Sequence, residues 1–471
     1  MVVGDFAIDL DTVVIGSGPG GYVAAIRAAE LGQKVTVIER EFIGGVCLNI
    51  GCIPSKALVE AAHHYQSAMN SQKMGLQVTA AQLDFQQTQI WKQSVVDKLT
   101  GGVASLFKKH HIDVIWGSAY VKDDHTLRVI KDDQAQTYTF KNLIIATGSH
   151  PIEIPNFKYE GRVIDSTGAL DLKKVPKHLI VVGGGYIGCE LASVYANLGA
   201  HVSIIEGTGQ ILSNYEADMV RVIQKHFSSQ GVDIYTNAMA KKAEQDDQSV
   251  KVTFEVNGEE KQLVADYCLV SVGRRPNTKG IGLQHAGIQL DSRGLIKVDN
   301  QGRTTIPNIY AIGDVVPGFS LAHKAEYEGK VAAEAIADKK ATVDYHAMPA
   351  VCYTDIPLAT TGLTAKEAAQ QGLAVKTAQF PFLANGRAIS MNATDGFVRL
   401  VYTRDEGILV GAQIVGGDAA DMISELTLAI ESGNTVDDLA LTIHPHPTLT
   451  EAVWDAAEDR KSTRLNSSHQ R

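Results

Sequence analysis

The feature that most constrains this chain is a unit of strand, glycine turn and helix that occurs twice. Thr12-Val-Val-Ile15 is a short apolar strand running into Gly16-Ser-Gly18-Pro-Gly-Gly21, then an alanine-rich helix from Tyr22 to Leu31, a stop at Gly32, and a second strand, Lys34 to Ile38, ending at Glu39. The unit returns as Leu179–Val182, Gly183-Gly-Gly185-Tyr-Ile-Gly188, a helix from Cys189 to Leu198, Gly199, and His201–Ile205 ending at Glu206. The step from first glycine to terminal acid is the same in both copies. Two βαβ units of matched length predict two dinucleotide-binding domains. The first glycine makes the tight turn, the second (Gly18, Gly185) lets backbone N–H groups approach a pyrophosphate, and the third (Gly21, Gly188) lets helix and strand pack. The helix N-terminus adds partial positive charge. The terminal acid accepts from a ribose diol. After Glu206 no arginine appears until Arg221, so a nicotinamide cofactor in the second unit should be NAD and not NADP.

Other segments place the boundaries. Leu143-Ile-Ile-Ala-Thr-Gly148 and Leu269-Val-Ser-Val-Gly273 read as strands ending in turns, the first followed by Pro151 and Pro155. A third such strand is Asn308–Asp314. From about 346, alternating strands and a helix over Asp418–Ser432 read as a separate α+β domain. The predicted fold is α/β, with two Rossmann-like domains and a C-terminal α+β domain. Its division is 1–148, 149–275, 276–345 and 346–458, followed by a polar ending, 459–471, read as disordered or non-native. A net charge of −10 leaves no electrostatic footprint for nucleic acid. No apolar run is long enough for a membrane span, and Met1–Asp9 has neither a basic region nor a cleavage site. A cytoplasmic protein is the expectation. Five cysteines exclude a disulfide scaffold.

Two of those cysteines, Cys47 and Cys52, flank Leu-Asn-Ile-Gly51. The segment after Cys52 reads as helical, with Pro54 in its first turn. That places Cys52 at a helix N-terminus, where a thiolate is stabilised. With no second Cys or His pair nearby, zinc is a poor reading. In a reducing compartment a structural bridge is rare. The pair reads as redox-active. Cys189, Cys268 and Cys352 read as packed thiols. Near the other end, His444-Pro-His446-Pro-Thr448-Leu-Thr-Glu451 offers a second candidate site. His446, held out of helix geometry by Pro447, could take a proton near neutral pH. Glu451 could orient it, or could close a Thr448-x-x-Glu451 capping box. The sequence leaves both open.

These segments together resemble the pyridine nucleotide–disulfide oxidoreductases over residues of about 9 to 458. The carriers are the two glycine turns with Glu39, Glu190 and Glu206, the Cys47–Cys52 segment, Ala146-Thr147-Gly148 and Val272-Gly273-Arg-Arg-Pro-Asn277. Ala311-Ile-Gly-Asp314, Leu321-Ala322-His-Lys-Ala-Glu326 and His446–Glu451 complete them. Glu206 and Leu321–Glu326 favour the members that oxidise dihydrolipoyl groups. The resemblance implies FAD at Gly16, Gly18, Gly21, Glu39, Lys56, Thr147, Gly148, Asp314 and Ala322. It implies NAD at Gly183, Gly185, Tyr186, Gly188, Glu206 and Gly273. Lys56 would pair with Glu190 beside the flavin, the alternative being a solvated first-turn lysine. Tyr186 would be a movable lid over the nicotinamide pocket, the alternative being core packing. His446, oriented by Glu451 and supplied by the other subunit of a homodimer, would deprotonate a substrate thiol, which then attacks Cys47. The implied partners are the lipoyl domains of 2-oxoacid dehydrogenase complexes, or the glycine-cleavage system. The competing readings are an NADPH-dependent reductase of another small disulfide, and a docking subunit with a disabled site.

Overall fold

The computed structural model describes residues 6–78 and 82–468, apart from the side chains of Lys73 and 460–468. The first sheet is parallel and five-stranded. Its order is Ile309–Ala311, Asn142–Ile145, Thr12–Ile15, Val35–Glu39, Asp113–Trp116. The second is also parallel, in the order Val163–Ile164, Tyr267–Val270, His178–Val182, His201–Ile205, Asp233–Tyr235. Corresponding strands share a register: Ile15 lies opposite Ile38, and Val182 opposite Ile205. Both turns therefore leave the C-terminal edge of a central strand, where the order of a doubly wound sheet opens a crevice. Strands covered on both faces read as continuous apolar runs, and Val13, Val14, Leu179, Ile180 and Val181 are fully buried.

Two smaller sheets flank this frame, antiparallel except where Ile8–Asp9 runs parallel to Gln134–Thr139. Ile8–Asp9, Gln134–Thr139, Thr126–Lys131 and Ser118–Val121 make one. Ala238–Gln245, Val250–Val256 and Glu259–Ala265 make another, beside the second unit. A two-stranded link, Ser149–Pro151 with Arg274–Pro276, ties the ends of the two parallel sheets together. The C-terminal part is an antiparallel five-stranded sheet from Ala350–Cys352 to Val375–Pro381. The helices Ala419–Glu431 and Glu451–Ser468 supply residues to its apolar core.

Three details differ from the sequence expectations or go beyond them. The helices of the two units start earlier than expected, at Pro19 and Tyr186, because the last turn of each glycine segment is already helical. The residues between the cysteines, which the sequence left without an assigned element, belong to a helix, Gly45–Ile50, so Cys47 and Cys52 sit on consecutive helices broken at Gly51. The last helix also continues past 458 to Ser468, into the ending that read as disordered or non-native. Nothing from 459 to 468 is a proline or glycine that would stop it.

Pro19–Glu30 packs on Ala322–Ile336 at unusually short range. A Cβ on Gly329 would lie 2.6 Å from the Gly20 carbonyl oxygen. The small residues Gly20, Ala24, Ala25 and Ala28 of the first helix are buried there or on the sheet.

Candidate functional site

Each glycine of the first turn does a distinct job. Gly16 adopts φ +95°, and a Cβ there would meet the Ala146 carbonyl oxygen at 2.4 Å. Gly21 is pressed against the Gly16 carbonyl, 2.0 Å from where its Cβ would be. Gly18, the N-cap of the helix, has nothing within 4 Å of that position. The second turn repeats the pattern: Gly183 at φ +102°, Gly188 at 2.1 Å from the Gly183 carbonyl, and Gly185 open. Two glycines are thus demanded by the protein's own packing. The third leaves a space at a helix N-terminus, which suits a phosphate.

The terminal acids close the turns from the other side. Glu39 Oε2 accepts from Ser17 N at 2.8 Å and from Ser17 Oγ at 2.6 Å, while its Oε1 accepts from Glu41 N at 2.9 Å. Glu206 Oε2 accepts from Gly184 N at 2.6 Å, and its Oε1 from Thr208 N at 2.8 Å. Both carboxylates are therefore fixed at the mouth of their turn. Ser17, not singled out by the sequence pattern, is part of the first lock.

A cavity starts at the first turn and runs between the sheets, with about 1900 Å³ of empty space including its open mouth. It brings together Gly16, Gly18, Gly21, Glu39, Cys47, Cys52, Lys56, Thr147, Gly148, Tyr186, Glu190, Asp314 and Ala322. Gly183, Gly185, Gly188, Glu206 and Gly273 lie outside it, at the second turn. Tyr186, first residue of the second unit's helix, borders the cavity and is 40% exposed, so it stands between the two sites rather than in the core. His446 and Glu451 are not part of the lining.

Cys52 opens the helix Cys52–Met69, and both cysteines are free thiols. Cys52 is held below the ordinary thiol range by a hydrogen bond from the Cys47 thiol and then by the Lys56 charge, against the cost of burial. Cys47 is pushed up, first because its proton is committed to Cys52, then by burial, the Cys52 charge and Glu326. Lys56 Nζ donates to Glu190 Oε2 at 2.7 Å and lies 4.7 Å from the centre of the Tyr353 ring. Burial works against its charge, but Glu190 outweighs burial and raises its pKa. Glu190 is itself buried and accepts from Tyr353 N at 2.9 Å. Lys56 is thus a paired lysine, not a freely solvated one.

On the opposite wall, Asp314 Oδ2 accepts from Ser149 Oγ at 2.6 Å, and Ser149 Oγ accepts from Arg274 Nε at 2.8 Å. Thr147 Oγ1 donates to the Asn277 carbonyl at 2.8 Å, and Asn277 Nδ2 donates back to the Thr147 carbonyl at 2.8 Å. Ser149, Arg274 and Asn277 were missed as site residues. Arg274 and Asn277 lie in the Val272–Asn277 segment that carried the resemblance, without a role assigned to them; for Ser149 the only signal is that it adjoins a strand-end turn. A carboxylate, an open helix N-terminus and a row of backbone turns along one cavity fit a polyhydroxylated dinucleotide such as FAD.

At the C-terminal end, His446 Nδ1 and Glu451 Oε1 are 2.9 Å apart, and Glu451 Oε2 accepts from Thr448 N at 2.8 Å. The choice between capping and orienting is therefore not a choice: one carboxylate does both, with one oxygen for each. Only half of the capping box forms, since Thr448 Oγ1 donates to the Pro445 carbonyl. The Thr448 N–H, then His446, hold the Glu451 carboxyl below its usual range. The His446 side chain is 80% exposed. His444 Nε2 and Glu425 Oε1 form a second pair at 2.8 Å. Among the described residues no group of side chains could hold a metal ion, and no helix is long and apolar enough to cross a membrane.

A family model for pyridine nucleotide-disulphide oxidoreductases matches residues 10–329, and its dimerisation domain matches 348–457. The chain belongs to the pyridine nucleotide-disulphide oxidoreductases. It is 57% identical over 458 residues to the dihydrolipoyl dehydrogenase of Geobacillus stearothermophilus, covering 97% of each chain. It is 56% identical to that of Bacillus subtilis, covering 97% of this chain and 98% of the other. Among solved structures, LpdA from Mycobacterium tuberculosis superposes with a TM-score of 0.90 at 25% identity, over 96% of this chain and 99% of the other. The flavoprotein disulfide reductase RclA from Escherichia coli gives 0.85 at 30%, over 95% and 99%. The dimerisation domain supports a homodimer, and the exposed Leu441 and Ile443 beside His444 belong to that matched segment. In this oxidoreductase, then, the histidine lies outside its own chain's cavity, in the part matched as a dimerisation domain.

Proposed function

We propose that the protein oxidises dihydrolipoyl groups to lipoyl groups and reduces NAD, using FAD in the cavity and the Cys47–Cys52 pair as the redox disulfide. The observation that carries the reading is the single cavity that joins an open dinucleotide turn to a polarised cysteine pair. The relatives with more than half their residues identical are named dihydrolipoyl dehydrogenases. Residues 1–148 with 276–345 would form the flavin unit, 149–275 the NAD unit, and 346–458 the interface.

With the disulfide closed, His446 of one subunit takes the proton of a substrate thiol at Nε2, while Glu451 holds Nδ1. The substrate thiolate attacks Cys47 Sγ, and the Cys47–Cys52 bond breaks. Cys52 leaves as a thiolate, the form that its environment favours. Once His446 has released the first proton to solvent, it takes that of the second substrate thiol, which attacks the substrate sulfur of the mixed disulfide and expels Cys47. Oxidised lipoyl departs, and the proton goes to Cys47. Bound beside Cys52, the flavin would carry the electron pair onward to NAD. Lys56, fixed by Glu190, would hold a positive charge on the cavity wall that favours a reduced, anionic flavin. Tyr186 would swing aside for the nicotinamide. Because His446 lies outside its own chain's cavity, the site would be shared across the dimer. The natural substrates would be lipoyl domains of 2-oxoacid dehydrogenase complexes, in the cytoplasm.

The test is the initial rate of NAD reduction by dihydrolipoamide per bound flavin, with NADP in parallel. A fast NAD-only rate is expected. A faster NADP rate would favour reduction of another small disulfide, although Glu206 at the second turn repels a 2′-phosphate. No rate with either nucleotide, in a protein whose flavin NADH still reduces, overturns the substrate.

A further inference from the structure

Lys324 and Glu328 are the buried charged pair that the reaction above does not use. Lys324 is 1% exposed, and its Nζ lies 2.9 Å from Glu328 Oε1. Three features make the pair a poor choice for stability alone. Lys324 is in the first turn of Ala322–Ile336, at the positive end of the helix dipole. Lysine before glutamate at i, i+4 is the weaker order. Apolar side chains of similar size would avoid the cost of burying two charges.

The pair has one further set of contacts. Glu328 Oε2 accepts from Gly313 N at 2.7 Å, and Lys324 Nζ donates to the Gly313 carbonyl at 3.2 Å. The two hydrogen bonds and the ion pair close a ring around one residue, clamping both its N–H and its carbonyl. Gly313 sits at φ +75°, a conformation favouring glycine, and a Cβ there would press on Ala325 at 3.1 Å. The next residue is Asp314, on the cavity wall beside Ala322 and Ala325. The lysine stem is held from the far side by Gly318, where a Cβ would come within 2.7 Å of Lys324 Cε.

We infer that Lys324 and Glu328 are positioning residues for the flavin nucleotide: their ion pair locks the Gly313 backbone and so aims the Asp314 carboxylate at the hydroxyl-bearing chain of the cofactor. The inference rests on the flavin reading above. It assigns the two charges a purpose that helix stability does not supply. A carboxylate on a glycine-hinged turn would otherwise swing, and accepting from Ser149 alone fixes only one of its oxygens.

The test is FAD affinity of the full-length chain after flavin removal, by titration with flavin fluorescence as readout, alongside thermal melting of the flavin-free form. K324M leaves a buried carboxylate uncompensated, which is enough to destabilise the fold by itself. The informative variant is therefore the neutral pair K324M/E328Q, in which the glutamine can still accept from Gly313 N. We expect its FAD dissociation constant to rise at least tenfold while the melting temperature of the flavin-free chain stays near that of the parent. D314N should weaken FAD in the parent but cost little further in the K324M/E328Q background, since the ring acts through Asp314. Unchanged FAD affinity in the double variant overturns the inference, as does full additivity with D314N. Failure of the unaltered chain to bind FAD overturns the flavin reading itself, and the inference falls with it.

Discussion

Cys47 and Cys52 are one side-chain type in two environments, and Lys56 is the part of that difference a single substitution can remove. The ammonium is one of the groups lowering the Cys52 pKa. Replacing it by methionine should move the alkylation profile of Cys52 in the reduced protein toward higher pH, because the thiolate loses a favourable charge. Iodoacetamide labelling against pH, with peptide mapping, reads this directly. An unmoved profile would mean that the Cys47 hydrogen bond alone sets it. Glu451 invites a different experiment, since its two oxygens serve two neighbours. E451Q keeps an acceptor for Thr448 N but loses the charge that steadies a protonated His446. Dihydrolipoamide turnover should fall by roughly 10²-fold, with little change in melting temperature. E451A should lose both. A turnover loss in E451A no greater than in a simple cap deletion, with E451Q unaffected, would assign Glu451 to the helix alone.

Among the elements, the glycine turns show how far a sequence can be read. Their spacing and their strands print locally, so both units and both acids were legible. The order of the motif also indicated which glycine turns, which faces a ligand and which packs; what each one packs against was not legible from letters alone. It depends on what lies across the turn: the Ala146 and Gly16 carbonyls for Gly16 and Gly21, open space for Gly18. This difference is testable. G21A forces a Cβ onto a carbonyl and should destabilise the flavin-free chain by about 1–3 kcal/mol or more. G18A should leave its melting nearly unchanged and weaken FAD. Calorimetry and flavin titration of the two variants separate the effects, and equal melting losses would contradict the assignment. The helix between the cysteines was illegible for a related reason. Val46-Cys47-Leu48-Asn49-Ile50 has neither a helical stripe nor a side-chain cap. Its ordering comes from Asn49 Nδ2 bonding the Ile43 and Gly45 carbonyls, at 2.9 Å each.

On the scale of the whole molecule, one junction joins parts that the sequence keeps far apart. Asp355 lies between His63 of Cys52–Met69 and His226 of Ala217–Ser229, 2.9 Å from each, and its backbone N–H donates to Ser193 Oγ at 2.9 Å. Burial works against the Asp355 charge, but His226 and His63 outweigh it and hold the carboxyl well below its usual range. Hydrogen bonding to Asp355 raises His63. A depressed acid stabilises above its unfolded pKa of about 3.9 and loses that stabilisation as pH falls through the folded value. A raised histidine stabilises fully below about 6.5 and loses that contribution as pH rises through its folded value. The contributions coincide between about pH 4 and 6.5. D355N should lower the melting temperature by a few degrees there, with a smaller gap by pH 9. A gap independent of pH would mean that shape rather than charge holds the junction. No local pattern announced this cluster, because its three members share no motif and meet only when the chain has folded.

The same separation governs the first parallel sheet. Its edge strand, Ile309–Ala311, pairs with Asn142–Ile145 from roughly 160 residues earlier. On a ribosome adding ~5–20 residues per second, that edge waits roughly 10–30 s for its neighbour. The entire second unit emerges meanwhile. The N-terminal part is therefore born unfinished, with a naked strand edge beside the place where the cofactor would settle, and Asp314 arrives only with the strand that covers it. Nascent chains stalled before residue 309 should hold no flavin, whereas the later unit, whose five strands all lie between Val163 and Val270, can close as soon as it clears the exit tunnel.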